Sequence, residues 1–223
     1  MTNPNVIEFF KRLITGIILL VCFGGAYLHS ANMFAVFLVA VLVIALFFEW
    51  PKLIPPSHFA TTYTLMYPII PFILLVWLTL TYYAIDFYLP LYPFFVAWTA
   101  DSCGYAIGKL CGIHKMCPYI SPGKSWEGFF GSLVGVFVMH LWIMPRTHFF
   151  TKIPITFWPK SILFSVTMTS IAFLGGLFLS YLKRQKNLKD AGSVLPGHGG
   201  FLDRFDAVLF VVYATALLVF FFK

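Results

Sequence analysis

Charge is what this chain has least of. Of its 223 residues only 10% are Asp, Glu, Lys or Arg, and just eight are acidic, where a soluble domain carries about 25% charged residues. So few ionic side chains cannot cover the surface of a soluble fold this long. Cysteine is scarce too, limited to Cys22, Cys103, Cys111 and Cys117. The last three lie near His114, but seven residues separate Cys103 from Cys111 and five separate Cys111 from Cys117. That is not the tight pairing of a structural zinc site. No Gly-x-Ser-x-Gly or His-Glu-x-x-His stretch occurs, which argues against the common hydrolases and zincins. Gly123-Lys124-Ser125 is not a P-loop either, because Pro118 stands where the first glycine belongs and no parallel strand precedes it. No internal repeat or low-complexity linker is present.

What fills the chain instead is apolar. Hydrophobic residues make up 60% and aromatics 20%, with 27 Phe, and the mean hydropathy is +0.88. Disorder is excluded by the same figures. Runs long enough to span a bilayer, about 20 residues each, fall at 13–29, 31–48, 65–85, 88–108, 128–144, 161–182 and 205–222. The expected fold is all-α, a polytopic transmembrane helical bundle of about seven spans. The first run has the look of a signal peptide, with Lys11 and Arg12 ahead of it, but a second span follows at once and an uncleaved first span is expected. Pro68, Pro71, Pro90 and Pro93 sit in or beside spans, where neighbouring helices satisfy the freed carbonyls.

With seven spans, eleven Lys and Arg fall on one side (Lys11, Arg12, Lys52, Lys109, Lys115, Lys124, Lys183, Arg184, Lys186, Lys189, Arg204) and four on the other (Arg146, Lys152, Lys160, Lys223). The positive-inside rule makes the first side cytoplasmic. Positive-inside loops and anionic lipid headgroups also account for the net charge of +7 without nucleic acid as a partner.

The few acids are concentrated. Asp101, Glu127, Asp190, Asp203 and Asp206 lie in 101–127 or 180–206, and membrane-edge carboxylates are functional candidates by default. In 180–206, Lys183, Arg184, Lys186, Lys189 and Arg204 can meet phosphate oxygens. The run Pro196-Gly197-His198-Gly199-Gly200 lets backbone N–H groups approach an anion. Asp203 and Asp206, spaced i, i+3 at the start of the last span, share a helix face and suit Mg2+ beside bound phosphates. The plainer alternatives are membrane anchoring for the cations, an ordinary turn for the glycines, and helix-dipole complementation for the two acids. In the other window Asp101 lies inside an apolar run. Gly104, Gly108 and Gly112 form a small-residue stripe suited to helix packing. Ser121, Lys124 and Ser125 are candidate substrate contacts, with Ser125 equally placed to cap the next helix and Glu127 to support its N-terminus.

Ser180, Leu182, Lys183, Arg184, Lys189, Asp190, Gly192, Leu195, Pro196, His198, Gly199, Gly200, Asp203, Arg204 and Asp206 together resemble the signature of phosphatidate cytidylyltransferases, the CDP-diacylglycerol synthases. Asp101 to Gly112 and Ser121 to Gly128 resemble that family's upstream stretches. The resemblance covers roughly 95–220. It implies transfer of the cytidylyl group of CTP to phosphatidate, giving CDP-diacylglycerol and pyrophosphate. It divides the chain into N-terminal spans (1–90) and a cytidylyltransferase-like membrane domain (91–223), multi-pass in the cell membrane with its active-site loops in the cytoplasm. Implied roles are catalysis for Asp190, Lys189 and Asp101, and substrate binding for Ser121, Lys124, Ser125, Lys183, Arg184, His198 and Arg204. Asp203 and Asp206 are the implied ligands of a Mg2+ cofactor, CTP and phosphatidate are the partners, and a homodimer is compatible. One departure stands out. The family's Gly-Asp-Leu, whose Asp helps hold the metal, is here Gly175-Gly176-Leu177. An impaired or altered-substrate homologue that binds nucleotide or lipid is the alternative this leaves open.

Overall fold

The computed structural model describes residues 4–54, 58–152 and 158–222; Lys223, one of the four cations assigned to the outer side, lies outside them. Helices dominate: α1 (Pro4–His29), α2 (Ala31–Leu53), α3 (Ala60–Tyr82), α4 (Tyr92–Cys111), α5 (Trp126–Ile143), a short α6 (His148–Lys152), α7 (Trp158–Gln185) and α8 (Leu202–Phe221). The all-α expectation needs one amendment. A small antiparallel hairpin, β1 (Lys115–Cys117) with β2 (Ser121–Ser125), joins α4 to α5, pairing Lys115 with Ser125 and Cys117 with Ser121. Among the described residues six helices are long and apolar enough to cross a membrane, one fewer than the seven expected. The seventh run is the 20-residue α4, whose Asp101, Lys109 and glycines lower its apolarity.

The chain forms two compact units, residues 1–80 with 182–205, and residues 81–181 with 206–223. In the first, Ser30 alone separates α1 from α2 and caps α2 by accepting the Met33 N–H at 3.2 Å. Phe34, fully buried, meets Tyr27 and Phe23 edge-on at 4.8 and 5.0 Å between ring centroids. Two helices widen to a π turn, α2 at Ala45–Glu49 and α3 at Leu65–Ile69. Pro51 follows the first and Pro68 lies inside the second, so the looser turn relieves the clash between a proline ring and the carbonyl four residues back. Trp50 then ties the two helices. Its indole N–H donates to Thr64 Oγ1 at 2.8 Å and its ring stacks on Tyr67.

In the second unit α4 lies close along α5. A Cβ on Gly104 would strike Ser132 Oγ, and one on Gly128 would fall 2.8 Å from the Gly104 carbonyl oxygen. The glycine stripe is a packing device that lets two backbones approach. Ser132 secures the contact by donating to the Ala100 carbonyl at 2.6 Å. Two buried polar groups are fully employed in holding this unit together. Asp86 accepts from the N–H groups of Tyr88, Leu89 and Phe149. His140 bridges Tyr92 Oη at 2.8 Å and Ser165 Oγ at 2.7 Å.

Candidate active site

In the first unit the charged residues are organised by a loop. Helix α7 ends on Asn187, whose positive φ of 55° supports a 6→1 bond from the Leu188 N–H to the Lys183 carbonyl and a 5→2 bond from the Asn187 N–H to that of Arg184. The chain then folds back through a tight turn in which Leu195 and Gly199 bridge, with positive φ at Gly197 and Gly199. Thr15 of α1 fastens this turn by donating to the Pro196 carbonyl at 2.9 Å. A Cβ at Gly197 would fall 2.7 Å from the Arg12 side chain, so a side chain there is barred by both conformation and space.

Asp203, in the first turn of α8, is the centre of this arrangement. Its Oδ1 accepts from Lys183 Nζ at 2.7 Å, with the two side chains 6% and 13% exposed. Its Oδ2 accepts the N–H groups of Ala191 at 2.7 Å and Gly200 at 3.0 Å. Three of about four lone-pair directions on this carboxylate are therefore taken. Asp190, exposed, stands beside it across Gly199. Arg204 donates through Nε and Nη2 to the His198 carbonyl, and Arg184 reaches the Leu188 carbonyl at 3.1 Å. His198 Nδ1 is buried with no hydrogen-bond partner. Burial and then the charge of Arg204 push the His198 pKa below its ordinary 6.5; the Pro196 backbone pulls it back in part, and the charge of Arg12 adds a smaller downward push. Lys189 is exposed past the end of α7.

Glu49, which the sequence patterns passed over, completes this cluster. Fully buried at the end of α2, it accepts the Phe201 N–H on Oε1 at 2.7 Å and the Leu202 N–H on Oε2 at 2.8 Å. The available signal was a lone acid in an otherwise apolar run. The glycine-rich loop does gather backbone donors around an anion, as its composition suggests. The anions are the protein's own Glu49 and Asp203.

The second unit holds the other candidates. Ser125 is 2% exposed and its Oγ accepts the Gly128 N–H at 3.2 Å, capping α5. Glu127 accepts from both the backbone N–H of His114 and its Nδ1, the latter at 2.6 Å, and so pins the base of the hairpin. Ser121 begins β2, and Asp101 is exposed on α4. Lys124 reaches from β2 to α7, where its ammonium donates to the Phe173 carbonyl at 3.2 Å and sits 4.3 Å from the centre of the Phe173 ring. A Cβ built on Gly176 would lie 2.7 Å from Lys124 Nζ and 3.5 Å from Asp206 Oδ2. The ammonium thus stands beside Asp206, where a side chain at 176 would begin. At the neighbouring Gly175 a Cβ would fall 2.6 Å from the Asp206 carbonyl oxygen, so α7 and α8 touch backbone to backbone here.

Among the described residues no group of three or more His, Cys, Asp or Glu is placed to hold a metal ion. Mg2+ needs only one or two carboxylates when phosphates and water complete its shell. Asp203 and Asp206 are the two carboxylates of that kind on α8, Asp203 accepting three donors and Asp206 the Ala207 N–H on Oδ1 at 2.7 Å.

The cytidylyltransferase family model matches residues 57–222. The phosphatidate cytidylyltransferase of Staphylococcus haemolyticus (strain JCSC1435) is 39% identical over 129 residues, covering 58% of this chain and 48% of that protein. The enzyme of the same name from Staphylococcus aureus (strain COL) is 41% identical over 131 residues with the same coverage. The chain spans about half the length of the curated relatives it matches. A match across most of the chain, including the loop that Asp203 and Glu49 hold together, makes this protein a member of the cytidylyltransferase family.

Proposed function

We propose that the chain transfers the cytidylyl group of CTP to phosphatidate. A phosphatidate phosphate oxygen forms a bond to the α-phosphorus of CTP as the bond from that phosphorus to the bridging oxygen of the β-phosphate breaks. Pyrophosphate leaves, and CDP-diacylglycerol remains in the bilayer. The observation that carries the proposal is the family match across a segment whose cations and carboxylates are held in place by named bonds.

Two polyanions must be brought together in line, so the protein's main task is to position them and offset their repulsion. Arg204, Arg184 and Lys189 present cationic groups for triphosphate oxygens. Lys183 is committed to Asp203 and acts by keeping the loop in shape. Lys124, fixed against Phe173, offers a positive charge to a phosphate, with Ser121 nearby in the same strand. His198, neutral near pH 7 by the direction of its shift, has an unused ring nitrogen for a nucleotide or phosphate hydrogen. Asp101 and Asp190 are exposed carboxylates able to orient a lysine or a water. Mg2+ arriving with CTP would be held by Asp206 or by Asp203, with phosphate oxygens and water completing its shell, and would supply positive charge to the transferring phosphoryl group. The concentration of cations in 101–127 and 180–206 supports a cytoplasmic site.

The test uses the purified full chain in phosphatidate-containing nanodiscs with CTP labelled in its α-phosphate. Label entering the lipid with stoichiometric pyrophosphate release, lost on addition of EDTA, is the expected result. Binding of CTP without pyrophosphate release would refute transfer and leave a binding homologue. Transfer unaffected by EDTA would refute the metal.

A further inference from the structure

Glu49 lies outside the stretch that matches the family, residues 57–222, yet it touches the centre of the signature loop. Its two oxygens take the N–H groups of Phe201 and Leu202 at 2.7 and 2.8 Å, the donors that open α8. The loop is shaped around it. A Cβ on Gly200 would fall 2.7 Å from Cδ and from both oxygens, and one on Gly192 would fall 2.8 Å from Cγ. Beneath it, Trp50 and Leu53 are 3% and 0% exposed, so the carboxylate is carried on an anchored turn. A helix opening after glycines is ordinarily free to bind a phosphate through its N–H groups. Here the Phe201 and Leu202 groups are consumed by Glu49, and the Gly200 and Ala191 donors are consumed by Asp203.

We infer that Glu49 is a positioning residue for the polyphosphate site: it holds residues 198–204 so that His198 and Arg204, rather than backbone donors, meet the phosphates. The inference rests on the nucleotidyl-transfer proposal only for which polyphosphate is the natural ligand. It makes a prediction opposite to simple electrostatics. Glu49→Gln removes a negative charge, which alone would tighten anion binding. It also turns one acceptor into a donor facing an N–H, which frees the loop.

The experiment measures binding of inorganic tripolyphosphate to the full chain in nanodiscs, without metal, and amide exchange at residues 200–202. Glu49→Gln is expected to weaken tripolyphosphate binding at least tenfold and to speed exchange at Phe201 and Leu202 by a similar factor. Asp86→Asn, which removes a buried carboxylate that holds other backbone donors, is the control and is expected to lower thermal stability while leaving binding unchanged. If Glu49→Gln does not fold, Gly200→Ala keeps the charge but displaces the carboxylate, and the same weakening is expected. Unchanged or tighter binding in the folded variant, equal weakening by Asp86→Asn, or no tripolyphosphate binding by the native chain overturns the inference. Failure of the native chain to transfer label from CTP, with these binding results intact, would instead count against the transfer proposal alone.

Discussion

Replacing Gly176 by Asp introduces the carboxylate that the resemblance leads one to expect at this position, and the surroundings determine its effect. Position 176 is buried, and the new Cβ would stand 2.7 Å from Lys124 Nζ and 3.5 Å from Asp206 Oδ2. The ammonium is the end of a flexible side chain, so it gives way by turning rather than by moving backbone. A charge pair about 4 Å apart is worth about 4 kcal/mol at an effective dielectric of 20. Attraction of the introduced carboxylate to Lys124 and its repulsion from Asp206 are of similar size. They nearly cancel, so the cost of burying a charge here decides the sign, and the folding stability should fall by about 1–3 kcal/mol. A divalent ion sees something different, because a second carboxylate joins Asp206 on its shell. Even a small residue of that attraction, about 1.4 kcal/mol, is a tenfold gain in affinity. We expect Mn2+ binding to the full chain, followed by electron paramagnetic resonance, to tighten at least tenfold in Gly176→Asp. Transfer from CTP should saturate at correspondingly lower Mg2+. A folded variant that binds Mn2+ no better than the native chain would show that Lys124 pairs with the new acid outright and that Gly176 is not a weakened metal ligand position.

The buried pair Lys183–Asp203 gives a second prediction. Lys183→Met leaves Asp203 buried without its cation and should lower the unfolding free energy by about 3–5 kcal/mol, while Lys183→Met with Asp203→Asn recovers part of the loss in the same denaturant titration. The third concerns pH. Because the folded His198 titrates below 6.5, the folded state takes up its proton later than the unfolded one. Stability is therefore greatest above pH 6.5 and falls as the pH drops through that value toward the folded pKa. Melting temperatures from pH 8 to 5 should decline less steeply in His198→Gln than in the native chain; parallel curves would contradict this.

Much of this architecture was legible in the sequence, because hydrophobic runs set helix positions almost directly and the start of the last run put Asp203 and Asp206, three residues apart, on its first turns. Ser125 was read both as a substrate contact and as a cap, and its oxygen does cap α5. The hairpin was not legible. Strands of three and five residues, one containing Pro and Gly, carry no period-two pattern, and the pair that pins their base, His114 and Glu127, shows only once the ladder has formed. Glu49 was hidden for a related reason. Its partners are 152 and 153 residues away, and only the folded chain shows that a carboxylate in the second helix meets the N-terminus of the last. Asp203 was singled out correctly as special, yet its bonds to Lys183, Ala191 and Gly200 depend on a turn whose geometry lies in backbone angles rather than in residue types.

The hydrogen bond from Thr15 to Pro196 also bears on how the chain threads the bilayer. Residues that share a hydrogen bond lie at one depth, so the chain between them must pass through the membrane an even number of times. Five of the six strongly apolar helices lie between these two residues, counting the remainder of α1. An even total requires one more passage, and α4 is the remaining helix of sufficient length. On that count α4 supplies the sixth passage, and its exposed Asp101 and Lys109 are the polar groups that set it apart from the strongly apolar helices.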